Sequence, residues 1–145
     1  MKKFVFPLLC LTIALQFFGS LQAATLTALS TFGGGDGWIA PGEHPKVQND
    51  NNQRGLAYNP VSGNVLLVSR TGGTFVQKFD GVTGADEGTL NVTGISGGTF
   101  ALSTIGVASD GAIYAANLAG AATPAAPYKI YRWNDEAATP TLAFS

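Results

Sequence analysis

Short apolar runs alternate with turn residues along this chain, and beyond the N-terminal stretch no apolar pattern recurs at helical spacing for three turns. Residues 25–32, Thr-Leu-Thr-Ala-Leu-Ser-Thr-Phe, alternate apolar and hydroxyl side chains, which predicts one half-buried strand. Gly33–Gly37 breaks it. The segment from Trp38 to Gln53, with Pro41, Gly42, Pro45 and a polar run at 49–52, shows neither periodicity and is expected to be a loop. From there the pattern predicts strands over Gly55–Tyr58, Val65–Ser69, Phe75–Phe79 and Thr89–Val92, separated by the turns Asn59–Asn64 and Asp80–Gly84 and the loop Arg70–Thr74. Pro60 presets φ and Gly63 accepts positive φ, so the first turn has a mechanism. Val65–Val68 is apolar at consecutive positions, the pattern of a strand covered on both faces, as neighbouring blades would cover it.

The pattern then repeats. After the Gly-rich connector 94–98, a second set of strands occupies about 99–145, with Ser109-Asp110-Gly111 as its first hairpin turn and a long Ala- and Pro-rich loop from Leu118 to Pro127. Val76-Gln77-Lys78-Phe79-Asp80 matches Ile130-Tyr131-Arg132-Trp133-Asn134, Gly55-Leu56-Ala57 matches Gly106-Val107-Ala108, and Val65–Val68 matches Ala112–Ala115. The offsets are 54, 51 and 47 residues, as expected when strands are fixed and turns vary. Four short strands recurring at such a period are the signature of a propeller blade. The expected fold is therefore all-β, a partial β-propeller of about two four-stranded blades (53–94 and 99–145) preceded by an N-terminal strand and loop (24–52). Closed propellers have 4–8 blades, so two leave open faces, and a fragment of a longer reading frame is expected.

Met1-Lys2-Lys3, the apolar run Phe4–Phe18 and the small residues Ala23 and Ala24 describe a secretory signal peptide over residues 1–23, cut after Ala23 or Ala24. Its run is short of the ~20 apolar residues that span a membrane. Export to the periplasm or the exterior follows, with no membrane association after cleavage. The single cysteine, Cys10, leaves with the leader, so disulfides, thiolate metal sites and thiol nucleophiles drop out. Loss of Lys2 and Lys3 leaves six basic residues, scattered through the sequence, against nine acidic ones. That argues against nucleic acid as a partner, because such binding needs clustered Lys and Arg.

The turns Asn59–Gly63 and Asp80–Gly84, with Ser109–Tyr114, resemble the blade turns of secreted bacterial propellers of the NHL, quinoprotein and gluconolactonase-like groups. A closer resemblance is to an uncharacterised family of large secreted bacterial proteins, a domain of unknown function, through Arg54–Pro60 and Gly111–Leu118. It implies the fold and no chemistry. The Trp docking motif of quinoprotein blades is missing, and the metal set of lactonase-like propellers draws on more blades than two.

No reactive constellation accompanies the strands. His44 is the sole histidine, and no Gly-x-Ser-x-Gly elbow supplies a nucleophile for it, so no catalytic residue is assigned. Asp50–Gly55 opens like a calcium loop but places Arg54 at the fifth position and Val61 at the twelfth, so a polar turn is expected and no metal or cofactor. Trp133 lies in a strand and is expected in the core, whereas Trp38, in a loop among glycines, is a candidate for stacking on a sugar. Blade geometry gathers the loops 49–54, 70–74, 94–99 and 117–127 at one end, where Arg54, Arg70 and Asn117 are the candidate ligand-binding groups. The expected function is a noncatalytic binding or scaffold module for a glycan or protein, able to self-associate through its open blade faces. The alternative is a fragment of a propeller enzyme of the lactonase, lyase or quinoprotein kind.

Overall fold

The computed structural model describes residues 27–120 and 123–145, so the predicted leader and Ala121 and Ala122 of the long loop lie outside the described residues. Eight strands form two four-stranded antiparallel sheets. The first, in the order β1-β2-β3-β4, comprises β1 (Gln53–Tyr58), β2 (Asn64–Ser69), β3 (Phe75–Asp80) and β4 (Asp86–Thr89). The second, β5-β6-β7-β8, comprises β5 (Phe100–Val107), β6 (Ile113–Leu118), β7 (Ile130–Trp133) and β8 (Thr141–Phe144). The single helical element among the described residues is a 3-10 turn at Phe32–Gly34. No described helix is long and apolar enough to cross a membrane.

Each turn closes as its residues dictate. Asp110 Oδ1 accepts from the Ala112 N–H while Gly111 N bonds Ala108 O, which makes the expected Asp-Gly hairpin. Asp80 Oδ1 accepts from the N–H groups of Val82 and Thr83 and from the Thr83 hydroxyl, fixing the β3–β4 turn.

Two predicted elements are corrected. Residues 27–32 form no strand: Phe32 N bonds Leu29 O, and the Thr31 hydroxyl donates to Val82 O, so the segment curls onto the β3–β4 turn. Gly33 then sits at φ 61° with the Trp38 carbonyl where a Cβ would lie, a position only glycine can occupy. The fourth strand is Asp86–Thr89 and not Thr89–Val92. Its polar residues carry no strand pattern. The buried Gln77 amide holds them by donating to Asp86 Oδ1 and to Gly88 O at 2.8 Å.

The core lies between the sheets. Leu66, Val68 and Val76 of the first sheet meet Leu102, Ile113, Ala115, Tyr131 and Trp133 of the second, with Leu90 alongside. Leu66, Val68, Val76, Leu102, Ile113 and Trp133 are wholly buried, each such side chain contributing roughly 1.5–3 kcal/mol. Gly55 makes the approach of β1 to β5 possible, since a Cβ there would meet Ile105 N at 2.8 Å.

Hydrogen-bond direction shows how the sheets are oriented. Val76 O accepts from Leu90 N, toward the fourth strand of its sheet, whereas Lys129 O accepts from Asn117 N, toward the second. Val76 and Ile130 are thus equivalent, and through the registers Leu66–Lys78 and Tyr114–Arg132 so are Leu66 and Tyr114. The sequence match of Leu66 with Ile113 is one residue out of step, which in a strand exchanges faces. With the register corrected, the front of the first sheet packs on the back of the second, in the same sense. The front of the second sheet, bearing Tyr114, Ala116 and Ile130, has no sheet against it among the described residues. The back of the first sheet is covered by the segment 32–47 instead of by another sheet, with Phe32, Ile39 and Val47 near Val65 and Leu67.

Candidate functional site

Antiparallel meanders bring the start of β1, the end of β2, the start of β3 and the corresponding points of β5–β7 to one end of the molecule. There Arg70, just past β2, lays its guanidinium 3.5 Å from the centre of the Phe100 ring, and Arg54 of β1 lies 5.9 Å from the same ring. Arg70 Nη2 donates to Asn51 O at 2.8 Å, and its Nε is buried without an acceptor. Arg54 is exposed, and among the described residues neither arginine is paired with a carboxylate. Lys46 joins them, its Nζ 3.3 Å from the Phe75 ring centre and donating to Thr71 O at 3.1 Å. The residues scattered in sequence are thus gathered in space.

The structure brings together two of the four candidate residues. Asn117 is at the same end but spent: buried, it donates to Pro127 O at 3.1 Å and accepts from Lys129 N at 2.9 Å, closing the β6–β7 loop. Trp38 is elsewhere. It is 66% exposed on the back of the first sheet, its indole N–H donating to Asp36 Oδ2 at 2.8 Å, beside an apolar groove of about 310 Å³ floored by Leu56, Val65 and Leu67. Sequence reasoning missed Lys46 and Phe100. Lys46 sits in a loop that no periodicity places, and Phe100 carries no signal apart from the strand it begins.

A second cleft, of about 340 Å³, contains a pair absent from the sequence pattern: His44 Nε2 and Asp86 Oδ2 at 3.0 Å, forty-two residues apart. His44 Nδ1 accepts from Lys46 N at 3.1 Å, so the proton sits on Nε2 and is donated to Asp86. With both nitrogens engaged, and the ring set edge-on to Phe79 at 4.9 Å, the imidazole is a strut and has no lone pair for a metal or a substrate proton. The His44 hydrogen bond, then the Gly88 N–H, hold the Asp86 carboxyl below its ordinary value of 3.8. Asp50 forms the polar turn expected of it: Asn52 N donates to Oδ1 at 2.8 Å and lowers its pKa likewise. Among the described residues no cluster of three His, Asp or Glu side chains is arranged to hold a metal ion.

Two stacked four-stranded antiparallel meanders, with Lys46, Arg54 and Arg70 at one loop end, define an all-β chain. The chain is similar to a solved DUF4623 family protein from Bacteroides eggerthii DSM 20697, at 28% identity and a TM-score of 0.53, over 63% of this chain and 21% of that one. It therefore spans about a fifth of the length of that protein. The likeness agrees with the resemblance to an uncharacterised bacterial family. No protein-family model and no curated protein matches the chain.

Proposed function

We propose that this chain is a noncatalytic binding or scaffold module of propeller type, exported by its leader, with its ligand surface at the loop end around Arg54, Arg70 and Phe100. The observation that carries the reading is the Arg70 guanidinium stacked on the Phe100 ring, with that of the exposed Arg54 5.9 Å from the same ring and no carboxylate partner for either among the described residues. A cation kept in place by an aromatic face and a backbone carbonyl is pre-ordered for a ligand and loses little side-chain freedom on binding. The propeller reading is supported by the same-sense stacking of the sheets, because front-on-back packing repeats indefinitely, whereas face-to-face packing closes a sandwich.

The exported chain, recovered with Ala24 or Thr25 at its N-terminus, is to be titrated against purified polysaccharides and proteins alongside Arg54→Gln/Arg70→Gln. At least one ligand should bind and lose tenfold or more in affinity in the double variant at unchanged melting temperature. Binding indifferent to both substitutions would remove this end as the site.

A further inference from the structure

The two outermost faces of the stack both expose apolar side chains, and their charges are opposite. On one side, the front of the second sheet presents Tyr114, Tyr128 and Ile130 around a hollow over the small residues Gly106 and Ala116. Arg132, opposite Tyr114 in the register, is the sole charged residue of β5–β8, and its Nε donates to the Tyr114 hydroxyl at 3.0 Å. No carboxylate among the described residues pairs with it. On the other side, Leu56 and Tyr58 of β1, which share the face of Leu67 and Val65, are exposed together with Trp38 of the covering segment 32–47. The same segment exposes Asp36, bonded to Trp38, and Glu43, bonded to the Ala40 N–H, while its lysine, Lys46, is turned onto Phe75.

The first sheet shows what such a front face takes. In the corrected register Arg132 is equivalent to Lys78, and Lys78, on the front of the first sheet, meets the Glu136 carboxylate of the sheet stacked on it at 3.8 Å. The neighbour supplies an acid to the cation. We propose that the front of the second sheet docks head to tail on the outer face of a second copy, with Arg132 toward the Asp36 and Glu43 carboxylates and Tyr114 toward Trp38 and Leu56. Arg132 lies near the β7–β8 turn, and Glu43 lines a cleft with Thr83 and Gly84 of the β3–β4 turn, so same-sense stacking brings the two charges level. A front-to-front dimer would instead join two faces that each carry the arginine and offer no strand carboxylate to receive it. Head-to-tail contact is heterologous: each added copy leaves one face of each kind free, so association continues past the dimer into a ring or a filament. The contact uses none of the residues of the loop-end ligand surface.

The test is sedimentation of the full chain and of variants that block one face each. The unaltered chain should form species larger than a dimer as its concentration rises. Ile130→Glu, on the front of the second sheet, and Leu56→Lys, on the exposed face of β1, should each raise the dissociation constant tenfold or more and sediment as monomers. An equal mixture of the two should recover a dimer and nothing larger, because each variant keeps the one face that the other lacks. Arg132→Glu and Trp38→Ser take their places if either variant folds poorly, with the same expected result. An unaltered chain that stays monomeric overturns the proposal. So does dissociation by the front variant alone, which would mark a front-to-front dimer, dissociation by the β1 variant alone, or dissociation by neither. Two monomeric variants that do not associate when mixed overturn it as well.

Discussion

Glu136 shows how one residue joins two sheets. It reaches from the β7–β8 turn to the β1–β2 turn, where its carboxylate accepts from Asn59 Nδ2 and Asn64 Nδ2 at 2.8 Å and from the Ser62 hydroxyl, with Lys78 Nζ at 3.8 Å. Removing a half-buried acceptor strands several donors at once, and hydrogen bonds to a charged group contribute roughly 1.5–3 kcal/mol. Glu136→Ala should therefore destabilise by about 2 kcal/mol in urea unfolding, while Glu87→Ala, at an exposed position of β4, should change stability by under ~0.5 kcal/mol. Equal shifts would show that the clamp carries no energy. None of its partners lies within seventy residues in sequence apart from Lys78, which is why no motif announced it.

Among the elements, β2 is the most informative. Its four consecutive apolar residues predict cover on both faces, and both faces are covered, but unequally. Leu66 and Val68 are fully buried against the second sheet, whereas Val65 and Leu67 are half-buried under the segment 32–47. Leu66→Ala should cost about 2–5 kcal/mol, and Leu67→Ala distinctly less because the covering segment can settle into the space. Unfolding midpoints that fall equally, or in the reverse order, would contradict the assignment of faces. The strands with a clear apolar or aromatic pattern were legible from sequence. Asp86–Thr89 was not, because it owes its place to the Gln77 amide and not to any apolar face of its own.

At the scale of the whole molecule, same-sense stacking leaves the front of the second sheet open. Tyr114, Leu118, Tyr128 and Phe144 are all exposed, and a hollow of about 310 Å³ lies over Gly106 and Ala116. Contiguous aromatic and aliphatic surface of this kind is what a further sheet would bury. We predict self-association of the chain through this face, visible as a concentration-dependent sedimentation coefficient in the micromolar range. Ile130→Glu, which places a charge on this face, should shift the population to monomer. A wild-type chain that sediments as a monomer throughout would refute the prediction.

What the sequence determined by itself is local: an all-β chain, the strands with a clear apolar or aromatic pattern, and turns such as Asp110-Gly111 whose residue types dictate their geometry. Alternation and turn chemistry act over a few residues, so they can be read without knowing the fold. The tertiary structure alone decided what meets across distance. It set which face of each sheet is inward, a matter that one residue of misalignment reverses. It paired His44 with Asp86, spent Asn117 on its own loop, and carried Trp38 away from the arginines. It also gathered Lys46, Arg54, Arg70 and Lys129 into one cationic end, because strand ends far apart along an antiparallel meander are neighbours in space.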